Sequence, residues 1–71
     1  MIYPEIGGTY LHYKGGKYTV ITLCTHSESK EVLVIYKSQH FGSVYARPLS
    51  MWFEDITLND GTTIKRFEEI I

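Results

Sequence analysis

Along most of this chain apolar and polar residues alternate with a period near two, the signature of half-buried β-strands rather than helices. Thr9-Tyr10-Leu11-His12-Tyr13 is the first such run, bounded by Gly7-Gly8 before it and Lys14-Gly15-Gly16 after it. The glycines at 15 and 16 can take positive φ without a Cβ clash, so they predict a tight hairpin turn. A second strand runs from Lys17 to about Thr25 and is apolar or small on both faces. Two such faces place it centrally in a closed or strongly curled sheet. The polar stretch His26 to Glu31 reads as a surface turn. Val32 to Lys37 is the run richest in β-branched residues and gives a third strand. A loop from Ser38 to Ser43 leads to a short fourth strand, Val44-Tyr45-Ala46-Arg47, ended by Pro48.

Between Pro48 and Phe53 a helical turn competes, because Pro suits a first helical position and Leu49, Trp52 and Phe53 would share a face. The segment is too short for an α-helix and predicts a single 3-10 turn. Asp55 to Leu58 and Thr62 to Phe67 are further strands joined through Asn59-Asp60-Gly61, with Glu68 to Ile71 as a tail or strand extension. Five to six short antiparallel strands and one 3-10 turn predict an all-β fold, a small SH3-like barrel or roll. It is a single domain over 1–71 with its core at about 7–67, and closing the sheet removes the exposed edges. An open meander completed by dimerisation is the alternative.

Composition narrows the function. The chain has 71 residues, which allows one small domain with a radius of gyration of roughly 11 Å. Seven Lys and Arg against eight Asp and Glu give a net charge of −1, which fits neither a basic nucleic-acid tail nor an acidic disordered one. Residues 1–47 carry five basic and three acidic side chains, and residues 48–71 carry two basic and five acidic. Tight nucleic-acid binding is therefore disfavoured, since a phosphate backbone demands a basic track. Six Tyr, three Phe and one Trp are the conspicuous excess, and dense ring packing offsets small size. One cysteine, Cys24, points to a reducing compartment, and the N-terminus has no basic region followed by an apolar stretch, so a cytoplasmic protein is expected. The longest strictly apolar run, Val32 to Tyr36, is far short of the ~20 residues that span a bilayer.

Candidate chemistry is sparse. Cys24 and His26 could pair as thiolate and imidazole, but Cys24 lies among apolar strand residues, where a free cysteine packs as a small core hydrophobe. His12, His26 and His40 with Cys24 match no zinc spacing, so neither a metal nor a cofactor is expected. Binding is better supported. Alternation puts Tyr10 and His12 on one face of the first strand, and Tyr45 and Arg47 on one face of the fourth, with Trp52 shortly after. Tyr, Trp and Arg concentrate at interface hot spots. Tyr10, His12, Tyr45, Arg47 and Trp52 are therefore the candidate binding residues, the rings that are not exposed serving to fill the barrel.

Read in order, several segments resemble the bacterial domain-of-unknown-function family 1653. They are Gly7-Gly8-Thr9-Tyr10, His12-Tyr13-Lys14-Gly15-Gly16-Lys17-Tyr18, His26-Ser27-Glu28 and Val34-Ile35-Tyr36. Val44-Tyr45-Ala46-Arg47-Pro48-Leu49, Met51-Trp52-Phe53 and Arg66-Phe67 complete the set, which spans about 7–67. The chain departs from the family pattern at Tyr45-Ala46, where a large residue and Val are common, and at Ser29, where Thr is common. The resemblance implies an SH3-like β-barrel in a bacterial cytoplasmic protein, and it supplies no reaction, cofactor or partner.

The expected function is a non-catalytic module that recognises a peptide or protein. Tyr and Trp give rigid apolar contact, Arg47 a fork for carboxylate or phosphate, and His12 a hydrogen bond. The alternative is a pocket for a nucleotide or other small anionic ligand clamped by the same Arg47, and a third reading is thiol chemistry at Cys24 and His26. A monomer or weak homodimer is expected.

Overall fold

A computed structural model describes residues 3–70. Its strands are β1 (Thr9–His12), β2 (Lys17–Thr25), β3 (Val32–Ser38), β4 (Val44–Pro48), β5 (Asp55–Thr57), β6 (Thr63–Lys65) and β7 (Phe67–Ile70). All pairings are antiparallel, and one 3-10 turn at Leu49–Met51 follows β4. The protein is thus all-β, with the single turn where Pro48 and its apolar neighbours predict it. Five strands form one sheet in the order β4-β3-β2-β1-β7, while β5 and β6 make a separate hairpin. β2 is the middle strand as expected, but only its inner face is covered: Ile21, Thr22 and Cys24 are exposed.

Among the described residues seven strands replace the expected five to six because the run Thr62 to Phe67 does not continue straight. Arg66 interrupts it, leaving β6 on β5 and sending β7 back along β1, with Phe67 opposite His12. The break is fixed from both sides, since the Arg66 N–H donates to the Glu54 carbonyl and its own carbonyl accepts from the Tyr13 N–H. Glu68 to Ile70 is therefore strand rather than tail. The turns follow the glycines. Gly15 takes φ 103° in the β1–β2 hairpin and Gly61 takes φ 88° between β5 and β6.

A bulge in β2 decides what reaches the core. Val20 pairs with Tyr36 but Thr22 pairs with Ile35, so Ile21 is the extra residue. Before the bulge Tyr18 and Val20 face inward. After it Leu23, opposite Val34, takes over that face, and Cys24 turns out. Cys24 is exposed, which corrects its expected place as a core hydrophobe. The parity of the strand changed at Ile21, and an unbroken alternation would have kept Cys24 on the Val20 face.

Among the described residues barrel closure by hydrogen bonds is not made: β4 and β7 remain the two edges of the five-stranded sheet. Side chains bridge them instead, since the Arg47 guanidinium of β4 lies 5.6 Å from the ring centroid of Phe67 on β7. The inner face of this curled sheet holds the core, Tyr10, Val20, Val34, Tyr36, Leu49, Trp52 and Phe67. The Cα radius of gyration is 12.5 Å and the extents are 39 × 26 × 20 Å, longer than the roughly 11 Å of a round domain of this length. Among the described residues no helix is long and apolar enough to cross a membrane.

Candidate functional site

The register places four of the five candidate binding residues on one face. Tyr10 and His12 stand opposite Glu69 and Phe67, and Tyr45 and Arg47 stand opposite Tyr36 and Val34, all on the inner side of the sheet. Trp52, just after the 3-10 turn, folds under that face. Depth separates them. Trp52 is 0% exposed and Tyr10 is buried, so both belong to the core and not to an exposed patch. His12 and Arg47 are half-buried, and Tyr45 is 44% exposed. The structure therefore corrects Trp52 and Tyr10 from contact residues to support, and leaves His12, Tyr45 and Arg47 at the rim.

The support is a continuous stack of rings. Trp52 lies parallel to Phe67 at 3.9 Å, and Tyr10 and Tyr36 meet Trp52 edge-on at 5.5 and 5.0 Å. Tyr36 and Tyr18 both touch Phe67 and each other. Pairs of this kind contribute about 0.5–1.5 kcal/mol each beyond the area they bury. Above this floor sit Tyr45, 5.6 Å from Tyr36, and His12, 4.9 Å from Phe67. Arg47 is held by the Phe67 ring and by its Nε–H, which donates to the Tyr36 hydroxyl at 3.4 Å. Packing on a ring orders the guanidinium before any ligand arrives.

Charge at the rim is positive. Burial lowers the His12 pKa first, and the nearby Arg47, Arg66 and Lys14 lower it further. The Lys14 N–H also donates to His12 Nδ1 at 3.2 Å, which puts the imidazole proton on Nε2 and favours the neutral ring. Arg66 is matched by Glu54, 3.1 Å away, but among the described residues neither Arg47 nor Lys14 has a carboxylate within ion-pair distance. At the other end of the face, burial raises the pKa of Tyr10, whose hydroxyl accepts the Glu5 N–H at 2.9 Å.

Several site residues escaped the sequence reading. Tyr18, Tyr36 and Phe67 form the floor beneath Arg47, and the Tyr13 ring meets His12 at a 36° tilt, 4.6 Å away, with Arg66 beside it. Tyr18 and Tyr36 carried a usable signal, since each alternates with an apolar core residue, Val20 and Val34. Arg66 carried none, because its place depends on the break between β6 and β7.

The sequence pattern of the family described as a protein of unknown function, DUF1653, matches residues 8–69. The chain belongs to the DUF1653 family. A crystal structure of a DUF1653 protein from Bordetella bronchiseptica is 30% identical and has a TM-score of 0.79, over 90% of this chain and 85% of that one. The comparison with curated proteins gives no match. DUF1653 carries no stated activity, so the chemistry has to come from the side chains themselves. In this DUF1653 chain Cys24 and His26 do not meet in a hydrogen bond; His26 Nδ1 accepts the Glu28 and Ser29 N–H groups at 3.1 and 3.2 Å and so closes the β2–β3 turn. Among the described residues no three His, Cys, Asp or Glu side chains converge as a metal site would require. What the rim offers an anion is a guanidinium fork, an imidazole Nε2–H and the Lys14 ammonium over the half-buried Tyr13 ring.

Proposed function

We propose that this DUF1653 protein is a non-catalytic binding module that captures a carboxylate-bearing peptide segment of a partner protein at the rim formed by His12, Tyr45 and Arg47. The observation that carries the reading is Arg47 itself, ordered on Phe67 and Tyr36 with no carboxylate partner among the described residues. A half-buried guanidinium without a counter-charge is stabilised by an incoming carboxylate, and the pair gains from the low local polarity. Tyr45 supplies apolar contact at low entropic cost, and the neutral His12 donates from Nε2. An exposed thiol at Cys24 suits a reducing compartment, which supports a cytoplasmic setting.

An immobilised set of acetylated hexapeptides ending in Asp or Glu, with their amidated Asn and Gln counterparts, tests this. Wild-type protein is expected to bind members of the acidic set, and Arg47→Gln to weaken that binding about tenfold or more, the usual loss for a charge-assisted hydrogen bond. Equal binding by Arg47→Gln, or equal binding to the amidated counterparts, contradicts the proposal.

A further inference from the structure

A second place in the molecule has ligand-binding character, and it is separate from the rim except for Tyr18. The loop between β3 and β4 stands between two open depressions of about 530 and 500 Å³. Lys17 and Tyr18 wall the larger, Lys37 and Gly42 the smaller, and both share the segment Ser38 to Phe41. Volumes in this range suit small-molecule sites. At the top of the loop Phe41 is 78% exposed, the most exposed of the large hydrophobic side chains described.

That exposure is not the result of a loose loop. The Gly42 N–H donates to the Ser38 carbonyl at 2.8 Å and the Ser38 N–H to the Ser43 carbonyl at 2.9 Å. The buried Ser38 hydroxyl accepts the Phe41 N–H at 3.1 Å, and the Gln39 N–H donates to the Lys17 carbonyl at 3.0 Å. Gln39 Nε2 is further fixed on the Thr19 and Thr9 hydroxyls, at 2.9 and 3.3 Å. His40 meets the Phe41 ring edge-on at 4.5 Å. An apolar ring held in water by a fixed loop has already met the entropic cost of ordering, which is what a contact ring for a ligand requires. The walls of both depressions contain Lys17, Lys37 and His40 and no Asp or Glu, so the local field favours an anion.

We propose that this loop end binds a free, small ligand that joins a planar heteroaromatic ring to an anionic group, the chemistry of a nucleoside monophosphate. The ring lies on Phe41 in the larger depression, and the anion sits at Lys17, where Gly15 leaves the backbone open to close approach while Gly16 is covered by the Tyr18 ring. A free ligand fits better than a strand of nucleic acid. The net charge is −1, and two lysines at one loop make a point of positive charge and not a track.

The test is an NMR titration of the full chain with adenosine monophosphate, adenosine and inorganic phosphate, each alone. The expected result is that the nucleotide shifts the backbone signals of Gln39 to Gly42 and of Lys17, and binds about fivefold or more tightly than either of its halves. Phe41→Ala, at a position whose ring is almost free of the core, and Lys17→Ala are each expected to weaken binding about fivefold or more. No shift at any nucleotide concentration reached, binding by phosphate alone as tight as by the nucleotide, or shifts confined to His12 and Arg47 would each overturn it.

Discussion

Trp52 shows how far a residue's chemistry is from fixing its role. An indole is equally suited to a binding patch and to a core, and here it is stacked on Phe67 with no solvent exposure. Its Nε1–H has no hydrogen-bond partner among the described residues and is surrounded by rings. Trp52→Ala should therefore lower stability by about 3–5 kcal/mol, the range for removing a large buried ring. A domain of this size has only roughly 4–10 kcal/mol in all, so urea unfolding should find the variant largely unfolded or close to it. A loss below about 1 kcal/mol would show that the ring is not core. His12 makes the second residue-level prediction. Its folded pKa lies below the ordinary 6.5, so the unfolded chain takes up the proton first as pH falls. Its contribution is full above that value and is lost as pH drops through it towards the folded pKa. Urea midpoints measured from pH 7.5 to about 5 should fall less steeply for His12→Gln than for wild type, and identical slopes would contradict the assignment. Alternation along β1 and β4 correctly paired Tyr10 with His12 and Tyr45 with Arg47. It could not say which of them lies deep, because period two reports a face and not what covers that face.

Strand existence was legible in the element pattern, and strand parity was not. β3 could be read from its β-branched run and β2 from its two apolar faces, and the turns from Gly15-Gly16 and Asn59-Asp60-Gly61. The bulge at Ile21 left no local mark, since Val20-Ile21-Thr22 is an ordinary strand sequence. Its effect is large: Leu23 goes in, and Cys24 comes out beside Leu33. Cys24 should accordingly be alkylated by iodoacetamide in the native protein at a rate within about tenfold of the urea-unfolded chain. Protection by several orders of magnitude would place the thiol in the core and remove the bulge from this account. The break at Arg66 was equally invisible, because it is set by partners distant in sequence, Glu54 and Tyr13, and by the return of β7 onto β1.

Across the whole molecule, one curled sheet uses a single inner face for two purposes. Trp52, Phe67, Tyr36 and Tyr10 fill its floor, and Arg47, His12 and Tyr45 stand on that floor at the rim. Among the described residues β4 and β7 do not join by hydrogen bonds, so the contact of Arg47 with Phe67 both bridges the open side and positions the charge. The aromatic excess that marks the sequence is thus mostly structural, and the cationic edge it carries is what the proposed function depends on. The measurement that tests this most directly is the pKa of His12, followed by NMR with and without a saturating acetylated hexapeptide ending in Asp. Burial holds His12 low first, and the positive charges of Arg47, Arg66 and Lys14 lower it further. A carboxylate seated on Arg47 offsets the charge contribution, so the account predicts that the pKa rises on binding and that Arg47→Gln abolishes most of the rise. A peptide that binds while the His12 pKa stays where it was would contradict it.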